Sequence, residues 1–308
     1  MCQSDPVAAS NALVDWQAAK PWRKEGLVRS LNQELVNRYH EQGFLFPFRA
    51  FSSQAAASYR ADVERTCSDT ANPAAAISGT VSYRVKPYLL FTWAAAMVRE
   101  PAILDAVEDL IGPDIMVFHT TMWWKTKGSP NRVPWHQDGT YFGLTPYEHV
   151  TAWVALSPSN TQTGCVRIVR GSHHAGQIPH SDHRDPTLML SRGQTVTADV
   201  DRSRAVPIVL SPGEFSLHHT MAIHASDPNT GHDDRIGIGI SYVPTRVRHV
   251  GPTRLSATLV RGRDTYGHFD LEPHPVADLD PAAIAAHQDS DARFWIASKS
   301  IPEMAGIH

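Results

Sequence analysis

The chain has 308 residues, 42% of them hydrophobic, a formal charge of -3 and a pI near 6.6. This supports one large domain or two small ones and gives no electrostatic case for nucleic acid or an anionic membrane, so a small-molecule partner is the expectation.

The opening stretch, "MCQSDPVAASNALVDW", has no basic flank followed by an apolar run, and the longest apolar segment, Tyr88 to Val98, is too short to span a bilayer. Three cysteines, Cys2, Cys67 and Cys165, show no paired spacing, and Cys165 in its strand-like segment reads as a buried thiol. A soluble protein of a reducing cytoplasm is expected.

Helical periodicity dominates the first third. Ser30 to Gln42 reads as a helix with Ser30 and Gln33 as a capping-box pair, a stripe of Leu31, Leu35 and Tyr39, and Gly43 as its stop. "SSQAAASYRADVERTC" predicts a second helix. Pro101 to Ile111 predicts a third, with proline in its first turn and Gly112 at its end.

From Ile115 the pattern changes to short strands between turns. "HVTAWVALSPSN" puts Val150, Ala152, Val154 and Leu156 on one face; "GCVRIVRGSHH" is another run; "RIGIGISYV" alternates Ile236, Ile238 and Ile240. Many short strands with Gly, Pro and Asn turns argue a sandwich or barrel. Residues 179–186 and 273–281 read as proline-punctuated loops, and Pro281 to His287 as a short helix. With no repeat and no clear linker, residues 1–308 are read as one domain: a helical part to about 112, a β core of about 113–252, and a C-terminal extension of 253–308 serving as lid, packing element or subunit contact.

Among 17 histidines, His-x-Asp occurs six times, starting at His136, His180, His183, His232, His268 and His287, so the tripeptide alone says little. Each is commonly a solvated loop or a satisfied core histidine. An oxygen-activating iron site needs two imidazoles and a carboxylate on one face of the metal, the third ligand returning from a distant strand. His287 is too near the end to leave room for a returning histidine other than the terminal His308, and His180 and His183 lie in a proline-rich loop. His136 has room downstream for a full set of strands. If the co-substrate is a dicarboxylate such as 2-oxoglutarate, its far carboxylate needs an arginine on the next strand. An arginine eleven residues after a histidine occurs for His173 with Arg184 and His224 with Arg235, and only the second pair leads into an alternating strand.

Taken together, "WHQDGTYF", "AWVAL", "GCVRIVRGSHH" and "IHASDPNTGHDDR" resemble the phytanoyl-CoA dioxygenase family of iron(II)- and 2-oxoglutarate-dependent oxygenases, over roughly Pro101 to Pro252. The resemblance implies a mainly β fold with flanking helices, a cupin-like double-stranded β-helix or jelly roll. It implies His136, Asp138 and His224 as ligands of Fe(II), Arg235 as the clamp on 2-oxoglutarate, and Thr121, Trp153 and Ser226 lining that pocket, with Arg84 or Lys86 as a further positive group. It also implies O2-dependent hydroxylation of an unactivated C–H bond of a small metabolite, with 2-oxoglutarate converted to succinate and carbon dioxide. The neighbourhood of His224 is similar to carrier-protein-linked halogenases of the same superfamily. Those enzymes have a small residue in place of the carboxylate, so Asp138 favours hydroxylation. Desaturation, cyclisation, halogenation and a non-catalytic metal-binding jelly roll are the alternatives.

Substrate contacts are assigned to Trp124, Tyr141, Phe142, Arg246 and Arg248, with Trp123 also flanking the first ligand pair. Each reads equally as core (the aromatic residues) or as solvated surface (the arginines). Phytanoyl-CoA itself is not implied, because a fold hosts many substrates.

Overall fold

A computed structural model describes residues 30–68, 77–78 and 81–300. The opening segment with Cys2 and the terminal His308 lie outside them. In chain order the strands used below are β1 (Phe44–Arg49), β2 (Ile115–Lys125), β3 (Val133–His136), β4 (Val150–Ala155), β5 (Val166–Val169), β6 (Ala205–Pro207), β7 (Glu214–His219), β8 (His224–Ser226), β9 (Arg235–Pro244), β10 (Ser256–Arg261) and β11 (Asp270–Leu271). The helices are α1 (Gln33–Gln42), α2 (Ser53–Thr66), α3 (Pro101–Ile111), α4 (Asp138–Phe142) and α5 (Pro281–Ser300).

A seven-stranded sheet of order β1-β7-β4-β9-β2-β10-β11 faces a four-stranded sheet of order β6-β5-β8-β3. Pairing is antiparallel except between β10 and β11. This is the double-stranded β-helix. The large sheet is extended at its edges by strands from residue 44 and from beyond residue 252, outside the expected β core of about 113–252.

The alternation of β9 explains how the large sheet serves two layers. Ile236, Ile238 and Ile240 point away from the small sheet into a cluster with α3 residues such as Ile103, Leu104 and Val107. Full burial of each contributes about 1.5–3 kcal/mol. Arg235, Gly239 and Ser241 face the opposite way, into the cavity between the sheets. Gly237 shares that face because a Cβ there would meet the Trp153 ring at 2.4 Å, so its lack of a side chain lets Trp153 lie across the strand.

Two helices differ from their predicted forms. α1 begins at Gln33 with Asn32 as its cap, the Asn32 side chain accepting from Leu35 N at 2.9 Å, and the Ser30–Gln33 box is not formed. Leu31 N–H instead donates to Asp109 Oδ2 at 2.8 Å, which holds residues 30–31 outside the helix. α5 runs to Ser300, far past His287, with Asp280 accepting from Ala282 N. Its buried stripe, Ala283, His287, Ser290, Phe294 and Ala297, keeps helical spacing, but two members are polar and so hide it from a purely apolar reading. Within the predicted 179–186 loop, His180–Ser181 pairs with Thr195–Val196 as a short ladder.

Candidate metal centre and co-substrate pocket

β3 and β8 are neighbours in the small sheet, with His136 directly opposite His224. The chain then turns from β3 into α4, whose first residue is Asp138. The ligand atoms of His136, Asp138 and His224 lie within 4.8 Å of one another. Asp138 Oδ1 is 3.4 Å from His136 Nε2 and 3.6 Å from His224 Nε2.

The protein fixes the tautomer of both imidazoles. His136 Nδ1 lies 2.9 Å from Pro134 O and 3.1 Å from His224 O, and His224 Nδ1 lies 2.9 Å from Ala222 O. Carbonyls only accept, so each Nδ1 carries the proton and each Nε2 keeps its lone pair toward the cluster. Burial, with His136 beside it, pushes the His224 imidazole down to about 3, so it is neutral at physiological pH. Burial opposes ionisation of Asp138, yet the imidazoles of His224, His136 and His218 hold its carboxyl well below the usual carboxylate range. Two imidazole Nε2 atoms and one carboxylate fit a divalent iron with open positions.

On the large-sheet side, Arg235 is 1% exposed, and its Nε and Nη1 have no hydrogen-bond partner among the described residues. Its Cζ sits 4.9 Å from the Trp153 ring centroid. Burial lowers its pKa to about 10, so it stays charged. A buried, unpaired guanidinium demands an anion, which fits the far carboxylate of a 2-oxo dicarboxylate.

The cavity wall brings together His136, Asp138, His224, Arg235, Thr121, Trp153, Ser226 and Phe142. The other substrate candidates are elsewhere. Trp124 packs in the core behind β2, its Nε1 donating to Asp234 Oδ2 at 2.8 Å; Trp123, one residue earlier, lines the cavity instead. Tyr141 reaches Ser191 Oγ at 3.1 Å and packs on Phe294 without lining the wall. Arg246 is paired with Glu148 and donates to Ile111 O, while Arg248 is exposed on the short strand Arg248–His249. Strand parity settles Trp123 against Trp124: Thr121, Trp123 and Lys125 share one face of β2 and Trp124 has the other.

Of the positive residues in "SYRVK", Lys86 is bound to Glu272 Oε1 at 2.5 Å in a buried network with Tyr88 and Ser256. Arg84 donates to Met189 O and lies over Trp123. His287 is structural, its Nε2 set 2.8 Å from Val85 O.

Thr151, His218 and Lys125 are among the cavity-side residues absent from the predicted set. Thr151 and His218 line the wall, and Lys125 lies behind Ser226, donating to its Oγ at 2.6 Å. Burial, then the charge of Arg235, lowers the Lys125 amine to about 6, and its Nζ also donates to Ser226 O and Asp227 O. Alternation carries the signal for all three: Thr151 shares a face with Trp153, His218 with Ser216, and Lys125 with Thr121.

Buried neutral histidines set an acid limit on stability. His119, His149 and His224 are lowered by burial from 6.5 to about 3, about 4 and about 3. The unfolded chain takes up protons below pH 6.5 that the folded chain refuses, so stability falls as pH drops from about 6.5 toward 4. The slope is about 1.4 kcal/mol per pH unit for each group, about 4 for the three. Denaturant midpoints of metal-free protein at pH 7.5 and 5.5 check this; equal midpoints contradict it.

Comparison with known proteins agrees with this geometry. Residues 39–237 match the family described as phytanoyl-CoA dioxygenase (PhyH). Peroxisomal phytanoyl-CoA dioxygenase of Bos taurus is 25% identical over 250 residues, covering 74% of this chain and 73% of that protein. The apo structure of the non-heme monooxygenase ThoJ is 33% identical with a TM-score of 0.77, covering 86% of this chain and 97% of that one. CytC3 with Fe(II) and alpha-ketoglutarate is 25% identical with a TM-score of 0.60, covering 78% and 92%. With a family match over most of its length and the His-Asp-His cluster in place, the chain belongs to the phytanoyl-CoA dioxygenase family and is an iron- and 2-oxoglutarate-dependent oxygenase.

Proposed function

We propose that the protein hydroxylates an unactivated C–H bond of a small-molecule metabolite. The observation that carries the reading is one cavity holding both the His136, Asp138 and His224 cluster and the unpaired Arg235 guanidinium. His136 and His224 would hold iron(II) through Nε2 and Asp138 through its carboxylate. Arg235 binds the far carboxylate of 2-oxoglutarate, with Thr121 and Ser226 beside it and Trp153 as the flat wall under the guanidinium. When bound, iron(II) with 2-oxoglutarate supplies oxygen activation coupled to decarboxylation to succinate and carbon dioxide.

The chain supplies placement and dryness. Val133, Val166, Phe142 and Ala225 line the cavity with apolar surface that excludes water from the reacting region. Lys125 holds the Ser226 hydroxyl in place. Asp138 favours hydroxylation over halogenation, because a carboxylate stands where a halide would bind. Trp123 and Phe142 are the aromatic groups placed to meet the substrate.

No helix among the described residues is long and apolar enough to cross a membrane. The buried Cys165 is in no disulfide, which supports a reducing compartment such as the cytoplasm. The test is a substrate screen read by product mass. A gain of one oxygen with matching succinate supports hydroxylation. A loss of two hydrogens or a gain of halogen assigns another outcome, and metal uptake without succinate would favour the binding module.

A further inference from the structure

We propose that His218 is a positioning residue of the metal centre: with Thr151 it holds the outer oxygen of Asp138, so that the carboxylate offers a metal Oδ1 alone. The inference rests on the ligand assignment above. The two oxygens of Asp138 have different surroundings. Oδ1 faces the Nε2 atoms of His136 and His224 at 3.4 and 3.6 Å. Oδ2 accepts from Thr151 Oγ1 at 3.0 Å and lies 3.6 Å from His218 Nε2.

Strand register produces this arrangement. His218 on β7 is directly opposite Thr151 on β4, so neighbouring residues of the large sheet reach together toward a carboxylate carried at the end of the small sheet's β3. His218 is 2% exposed, and neither ring nitrogen has a hydrogen-bond partner among the described residues. Burying an imidazole unsatisfied is unfavourable, and the carboxylate oxygen in front of it is the acceptor it lacks. Closing the 3.6 Å gap by under an ångström gives a charge-assisted hydrogen bond. His218 lies outside the group whose ligand atoms are mutually within 4.8 Å, so it acts through Asp138. A carboxylate held by its outer oxygen binds through one atom and leaves a further coordination position for co-substrate or oxygen.

The test is Co(II) affinity of the full chain, measured anaerobically against a competing chelator, with the visible Co(II) spectrum and the thermal midpoint of metal-free protein as companion readouts. Outer-shell partners of metal ligands are worth about 10–100-fold in affinity. His218→Leu is expected to lose about that factor and alter the Co(II) spectrum while leaving the metal-free midpoint unchanged or higher. His218→Gln, whose amide N–H can reach the same oxygen, is expected to recover most of the loss. Undiminished affinity in His218→Leu, equal weakness in His218→Gln, or a loss accompanied by a lowered metal-free midpoint each overturns the proposal. Asp138→Ala separates the two levels of the argument. If it binds Co(II) as tightly as the parent, the ligand assignment itself fails; if it loses binding while His218→Leu does not, only the role of His218 falls.

Discussion

Replacing Arg235 by Gln is expected to weaken 2-oxoglutarate binding by about 30-fold to 5,000-fold, the effect of about 2–5 kcal/mol seen when one partner of a buried charge pair is removed. The same change is expected to raise the stability of the protein without co-substrate, because the guanidinium is buried with Nε and Nη1 unpaired. These opposite signs distinguish a binding residue from a structural one. Calorimetric titration of 2-oxoglutarate and a denaturant midpoint on the same variant check both. A midpoint that falls with unchanged 2-oxoglutarate affinity would mean Arg235 serves the fold.

His224→Ala is expected to lower metal affinity by more than about 100-fold, since removing a ligand exceeds the effect of removing an outer-shell partner, and to abolish oxygen-dependent succinate formation with it. His287→Ala, at the second His-Gln-Asp, is expected to leave metal binding unchanged, because its imidazole is committed to Val85 O and lies outside the His136, Asp138 and His224 cluster. Metal titration and succinate assay on the two variants decide between the tripeptides.

The metal centre was legible because its geometry leaves a long-range trace in one dimension. A His-x-Asp at a strand end, a returning histidine, and an arginine eleven residues later in an alternating strand are requirements of a β scaffold around a dicarboxylate, and they single out His136 and His224 with Arg235. The substrate side left no such trace. Trp124 and Trp123 are adjacent, and only their parity with Thr121 shows that the second faces the cavity. Arg246 and Arg248 carry charge after the Arg235 strand, but one is spent on Glu148 and Ile111 O and the other points to solvent. His218 sat in a histidine-rich stretch where the neighbouring His219 obscured it, although strand alternation separates the two.

The extent of the fold was read less well at its ends for a related reason. α5 is held by polar burial: His287 on Val85 O, Ser290 within the Glu272 network, and Arg293 to Asp270. Phe294 then packs against His119, Tyr141 and Phe142, placing the C-terminal extension behind the helix that begins at Asp138. A hydrophobic pattern does not register contacts made by serine and histidine, so the helix read as a short one. Of the three roles open to the extension, packing element is the one these contacts support.

The most direct test of the account is anaerobic addition of iron(II) and then 2-oxoglutarate to the purified protein, followed by admission of oxygen while succinate is assayed. The account predicts a weak visible band that requires both additions, then succinate formation once oxygen enters, with both lost in His224→Ala. Iron bound without the band, and no succinate on exposure to oxygen, would contradict it.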